Sequence, residues 1–403
     1  MNKLIKQLGP GFLFAGAAIG VSHLVQSTRA GADYGWGLIW ALIIANLFKY
    51  PFFEYGTRYA LTTNKSLLDG YLGLGKGYLW SFFFLSLGSM FTIQTAVTIV
   101  TASLASLLFG FEASLIFWSV IITTSCALLL WYGGYQRLDK IIKWIIFVLT
   151  ISTVIAVTFA ANQNSTPLSY RQIIPEGASI VFLAAFMGWM PAPLDISVWN
   201  SLWTLEKNQL QSIKLQQGLF DFNVGYLVTF FLGICFMALG VLVMYGSGTS
   251  FSNAGGAFAN QLIELYTSTL GNEVYLFIVI AAFTTMFSTT LTTLDASPRA
   301  MERSSQLLFK NQKILSYRFW LIVLSLGTLG IFTFLLSEMG TLVQIATVLS
   351  FITAPFYAIL NYRLVTSDQM PLHARPSKSL RILSLIGIIL LSLFAVGFVF
   401  IAA

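Results

Sequence analysis

Met187-Gly188-Trp189-Met190-Pro191-Ala192-Pro193 lies in the middle of an apolar run from about residue 176 to 201. Proline donates no amide hydrogen and clashes with the preceding turn, so two prolines this close cannot continue a regular helix. The first apolar run, 10–28, holds a comparable stretch at mid-span: Gly16-Ala17-Ala18-Ile19-Gly20-Val21-Ser22-His23. Unwound backbone inside a bilayer is tolerated only where protein or a polar cavity supplies hydrogen-bond partners. A lone glycine or proline is an ordinary packing or kink residue in a membrane helix. Two interruptions at corresponding places in two halves of a chain are different: they point to the binding site of a secondary transporter.

The rest of the chain agrees with a membrane setting. Of 403 residues, 57% are hydrophobic and only 9% charged, against roughly 25% charged in soluble domains. That excludes an ordinary soluble enzyme, and the hydrophobicity excludes disorder. Runs long enough for a bilayer core, about 20 residues each, fall at 10–28, 36–57, 78–109, 113–131, 141–161, 176–201, 219–245, 274–295, 318–336, 341–363 and 380–402. Cys126 and Cys235 both fall inside such runs and read as buried small hydrophobes. There is no phosphate-binding Gly-Lys loop, no Cys-x-x-Cys pair and no Ser-His-Asp set away from the broken helices. We therefore expect neither an enzyme nor a bound cofactor.

Basic residues set the expected orientation. With the N-terminus in the cytoplasm, the inner gaps collect Lys3, Lys6, Arg58, Lys65, Lys76, Arg137, Lys140, Lys143, Lys207, Lys214, Arg299, Arg303, Lys310, Lys313, Arg318, Arg363, Arg375, Lys378 and Arg381. Only Arg29 and Arg171 fall in outer gaps, and Lys49 lies within the second run. The net charge of +7 is thus a topology signal and an attraction to lipid headgroups, with no nucleic-acid partner implied. The expectation is a multi-pass cell-membrane protein, as in a bacterial inner membrane, with its C-terminus outside.

Gly9-Pro10-Gly11, Ala30-Gly31-Ala32, Tyr34-Gly35 and Ala45-Asn46-Leu47 resemble the Nramp (natural resistance-associated macrophage protein) family of divalent-metal transporters. Met190-Pro191, Pro355-Phe356 and Thr366-Ser367-Asp368 continue the likeness through the tenth run. The resemblance implies an all-α integral membrane protein of the LeuT type. Two inverted five-helix repeats, 10–161 and 176–363, would be followed by an added eleventh helix, 380–402, all within one transporter domain, 1–403. It also implies a metal site. The family's first-helix motif Asp-Pro-Gly-Asn falls on Gly20-Val21-Ser22-His23, so its carboxylate is missing here. Of the sixth-helix Met-Pro-His, Met190 is kept while Ala192 replaces the histidine, and the tenth-helix glutamine falls on Thr347.

A replacement ligand set is expected near the breaks. Asp195 is an ionisable residue inside an apolar span and so a functional candidate by default. His23, Met190 and Asp195 would offer imidazole, thioether and carboxylate, with carbonyls of Gly20 and Met187 freed by the breaks. Imidazole and thioether suit softer transition metals, whereas magnesium prefers oxygen and water. The cargo that the resemblance implies is a divalent ion of the manganese, iron, magnesium or zinc class, with Gly20, Ser22, Met187 and Thr347 expected to complete the site. The alternative is a neutral or zwitterionic small solute held by Ser22 and half-helix amides, or a receptor or scaffold on this fold. His23 and Asp195 could also simply staple the two broken helices to each other. Lys49 reads as a lysine snorkelling to the cytoplasmic interface, Asp221 as an acid on the dipole of its own helix. Gln94, Thr95, Thr98 and Thr101 either line a neutral path or bond between helices.

Overall fold

A computed structural model describes residues 9–111, 113–163, 169–177, 179–246, 255–271, 273, 275–309, 314–334 and 339–402, all helix, turn or irregular chain. Helix 1 is Pro10–Ala18, then a π-helical turn Ser22–Ser27 leading into Thr28–Tyr34. Helix 2 is Ile39–Thr63 and helix 3 Lys76–Phe109. Leu115–Gln163 supplies helices 4 and 5, because its backbone turns at Gly134 (φ 56°, ψ −170°), a conformation that favours glycine. Helix 6 is split into Ser179–Trp189 and Ile196–Leu210. Helix 7 is Leu215–Leu239 with a π-helical end Gly240–Met244, and helix 8 is Tyr275–Phe309. Helices 9, 10 and 11 are Tyr317–Phe334, Met339–Thr366 and Lys378–Ala402.

Eight described runs are long and apolar enough to cross a membrane. Two of them each contain parts of two crossings: Ser22–Thr63 and Leu115–Asn162. With the short apolar Ser179–Trp189 joined to its continuation as helix 6, the eleven crossings read from hydropathy are recovered. Two helices were not legible as such. Leu67–Leu74 follows helix 2 and opens with a capping box between Ser66 and Asp69. Gly255–Leu270 follows helix 7.

Both breaks fall where the sequence placed them, and helix 1 is wedged in the centre. Its first half packs against helices 5, 7 and 8 and the second half of helix 6. The contact with helix 7 is backbone to backbone. A Cβ on Gly11 would lie 2.1 Å from the Asp221 carbonyl oxygen, and one on Gly225 2.0 Å from that of Gly11. No side chain can yield there, so Gly225→Ala should cost at least about 3 kcal/mol, the upper end of the overpacking range. A thermal melt of the purified protein checks it; a Tm within 2–3 °C of wild type would contradict this packing.

Asp221 corrects the sequence reading. It sits in the second turn of helix 7, 2% exposed, and serves a different helix from its own. Its two carboxylate oxygens accept the amides of Gly9 (2.8 Å) and Gly11 (2.9 Å). Those are donors left open at the start of helix 1, where a negative charge is also favoured by the dipole.

Candidate functional site

Between the two breaks lies a cavity of about 30 Å³, lined by Ala17, Ala18, Gly20, Val21, Ser22, Ile93, Val97, Trp189, Pro193, Asp195, Ile196, Trp199, Thr289 and Thr293. A second, of about 10 Å³, adjoins it through Ile93, Asp195 and Trp199 and adds Ser86, Ser89 and Ser297. Asp195 is the acidic residue common to both. It opens the second half of helix 6, makes no capping bond, and faces the amides of its own residue and Ile196. The positive end of a helix thus holds a half-buried carboxylate at the junction of the two spaces. Trp189 Nε1 is buried without a hydrogen-bond partner.

Of the residues singled out from sequence, Gly20, Ser22 and Asp195 line this cavity and His23, Met187 and Met190 do not. The fully buried His23 turns away. Its Nδ1 lies 2.7 Å from Ser22 Oγ and its Nε2 3.0 Å from the Thr229 carbonyl oxygen of helix 7. Both ring nitrogens are engaged, so the imidazole braces helix 1 against helix 7 without reaching Asp195. Met187 and Met190 pack in an apolar cluster with Ala30, Leu42 and Phe186. The Thr347 side chain lies outside the described residues. Among the described residues no three His, Cys, Asp or Glu side chains gather into a metal-binding group.

The carbonyls freed by the breaks are already taken, contrary to expectation. In helix 1 the Gly20 carbonyl accepts the amides of His23 (3.1 Å) and Leu24 (2.9 Å), and the Ala18 carbonyl accepts Ser22 Oγ at 2.7 Å. Thr289 of helix 8 brings its hydroxyl to within 2.9 Å of the Ile19 carbonyl oxygen and 3.1 Å of Gly16's. The same hydroxyl explains the missing carboxylate: a Cβ on Gly20 would meet Thr289 Oγ1 at 2.5 Å. In helix 6 the carbonyls point to Lys49. Its Nζ donates to the carbonyls of Gly188 (2.5 Å), Met187 (2.8 Å) and Ala192 (3.3 Å). At 1% exposure Lys49 is no snorkelling interfacial lysine. Sequence reading missed it because the residues it serves are 138 to 143 positions away.

The polar row on helix 3 resolves into hydrogen bonds. Gln94 Nε2 donates to Thr98 Oγ1 (3.2 Å) and the Thr290 carbonyl (3.3 Å), and Thr101 meets the Thr290 hydroxyl at 2.8 Å. Below the site, ion pairs tie the half-helix Ile196–Leu210 to its neighbours: Lys207–Asp139 (3.4 Å) and Glu206–Arg299 (3.1 Å). Arg303 pairs with Asp69. Buried Asp295 joins three elements, accepting from Trp203 Nε1 (2.8 Å), Arg299 Nε (2.7 Å) and the Tyr317 hydroxyl (2.9 Å).

Two helices broken at mid-span around a small cavity define a secondary-transporter fold of the LeuT type. The family described as natural resistance-associated macrophage protein-like matches residues 11–401, and the chain belongs to it. An uncharacterized protein of Pasteurella multocida is 38% identical over 399 residues, covering 97% of this chain and 91% of its own. The divalent metal cation transporter MntH of Staphylococcus haemolyticus is 22% identical, covering 72% of this chain and 66% of its own. Among solved structures, a manganese transporter of Eremococcus coleocola superposes with a TM-score of 0.76 at 13% identity, covering 98% of this chain and 86% of that one. A nucleobase-cation-symport-1 family transporter does so at 0.59 and 15%, covering 97% and 92%; both likenesses concern the fold.

Proposed function

We propose that this protein carries a divalent metal ion across a cell membrane by alternating access, with Asp195 as the charged ligand. The observation that carries the reading is the cavity. Pockets for organic ligands run to about 300–1,000 Å³, and the space beside Asp195 is about 30 Å³. That admits a bare or partly hydrated ion and excludes an amino acid or nucleobase in this conformation. A carboxylate is what a divalent ion needs in a low-dielectric place, since neutral ligands alone leave its charge uncompensated. The names of the MntH relative and of the Eremococcus structural neighbour support the same cargo class.

With His23 and both methionines packed away from the cavity, the remaining donors are oxygens: the Asp195 carboxylate, the Ser22, Thr289 and Thr293 hydroxyls, and water. Oxygen with retained water favours manganese or magnesium over the softer metals. On the orientation set by the basic residues, the ion pairs around Glu206, Lys207 and Arg303 close the cytoplasmic side. The repeats 10–161 and 176–363 would then rock around the site, with the N-terminus inside and the C-terminus outside.

One observation favours the alternative of a neutral or zwitterionic solute: Lys49 and Asp195 attract each other across the break, so the site carries an opposed pair. Titration calorimetry of purified wild type with Mn²⁺, Mg²⁺ and Zn²⁺ separates the readings. Saturable heat is expected for Mn²⁺ or Mg²⁺, with Zn²⁺ weaker. No heat for any of the three ions would overturn the metal assignment.

A further inference from the structure

Each break in a membrane helix leaves carbonyl oxygens without intrahelical donors, and in secondary transporters such ends coordinate cations. Here the two breaks are treated differently. The one in helix 1 is closed by neutral donors, chiefly the hydroxyls of Ser22 and Thr289 and local amides. The one in helix 6 converges three carbonyls on a single point, at 2.5, 2.8 and 3.3 Å, and that point is the Lys49 ammonium. Two of the three, Met187 and Gly188, belong to the last turn of the half-helix Ser179–Trp189, the negative end of its dipole. The third, Ala192, comes from the unwound segment itself. The carboxylate of Asp195 adds an attractive field.

We infer that the break in helix 6 is a built monovalent-cation site and that the protein fills it with a cation of its own, the side chain of Lys49 tethered on helix 2. The site's chemistry is that of a primary ammonium: three carbonyl acceptors for three N–H donors, with a counter-charge nearby. Occupation by a tethered group makes the geometry of the break independent of any dissolved coupling cation. It also leaves Asp195 facing a fixed positive charge, so the cargo space beyond it is the only part of the break open to an ion from solution.

The cavity left by shortening Lys49 tests this directly. In Lys49→Ala the three carbonyls lose their donor, and breaking a buried charged set of this kind lowers Tm by about 5 °C. Melting is measured in detergent in N-methylglucamine chloride and in methylammonium, ethylammonium or propylammonium chloride at equal ionic strength. The variant should regain at least half of the lost Tm in one of the alkylammonium salts, saturably and with a dependence on chain length, while wild type stays flat across the series. A variant as stable as wild type in N-methylglucamine, or one that melts low and ignores every amine, overturns the inference. Should the alanine variant not fold, Lys49→Met decides, because it is unbranched, only one heavy atom shorter, and lacks the charge. A Tm within 2–3 °C of wild type then overturns the inference; a large loss or failure to fold upholds it. The readout is stability, so it succeeds or fails separately from metal binding at Asp195.

Discussion

Asp195→Asn is expected to lower metal affinity and metal uptake by about 100- to 1,000-fold while leaving the fold intact. Two unit charges about 4 Å apart attract by about 4 kcal/mol at an effective dielectric near 20. A divalent ion feels this twice over, less what it loses in hydration, and every 1.4 kcal/mol is tenfold in affinity. Asparagine has nearly the same shape, and the half-helix that follows is held by its own packing and ion pairs. Asp195→Asn removes the counter-charge near the buried Lys49 ammonium, which keeps its three carbonyl acceptors, so the variant should fold and melt a few degrees below wild type. His23→Ala provides the contrast. With its nitrogens on Ser22 and Thr229, the imidazole holds helix 1 to helix 7, so its loss should lower Tm by several degrees and change metal affinity by less than about 5-fold, since the ring does not face the cavity. Calorimetry and proteoliposome uptake on both variants check the pair. A fully active Asp195→Asn, or a metal-blind but stable His23→Ala, would move the site away from the carboxylate.

Asp295→Ala is expected to be the most damaging single change for the fold, at about 3–5 kcal/mol, because it leaves a buried charge without its partner. Asp295 is fully buried and holds Trp203 from helix 6, Tyr317 from helix 9 and Arg299 one turn along helix 8. Removing it strands the Arg299 guanidinium, whose remaining ionic partner is the more exposed Glu206 at 3.1 Å, along with one indole and one phenol donor. Asp295→Asn keeps two acceptor positions and should cost roughly half as much. The double change Asp295→Ala with Arg299→Leu removes the stranded charge and should recover part of the loss. Melts of Asp295→Ala, Arg299→Leu and the double variant against wild type, read as a double-mutant cycle, measure the coupling. Single and double changes of equal stability would show that the arginine is not the source of the cost.

The two readings drawn from helix 6 fared differently for a physical reason. That residues 187–193 interrupt a helix follows from Pro191 and Pro193 alone, because a missing amide and a ring clash act within one turn. The spans follow likewise from runs of apolar side chains, and their pairing into a broken-helix transporter needs only the matching breaks. Family membership was legible in short motifs such as Gly9-Pro10-Gly11, where Gly11 is required because the backbone of helix 7 lies against it. That Asp195 lies in the space between the breaks was also legible, as a carboxylate too costly to bury idly.

The partners were not legible. His23 looked like a ligand beside Asp195 because both flank breaks. Which way an imidazole turns on a π-helical stretch is set by a carbonyl 206 residues further on. Lys49 looked like an interfacial lysine because hydropathy sees its position along helix 2 but not the face it presents. Only the packing of helix 2 against the break in helix 6 brings three carbonyls within reach of its ammonium. Asp221 was matched to the wrong helix, since the open amides of Gly9 and Gly11 come to it across 212 and 210 residues. Sequence alone determined where this chain must span, where it must break and which family it joins, since those depend on each residue's own backbone and its immediate neighbours. Tertiary structure alone decided which side chain satisfies each broken end, because an unpaired carbonyl or amide accepts any donor or acceptor that packing delivers.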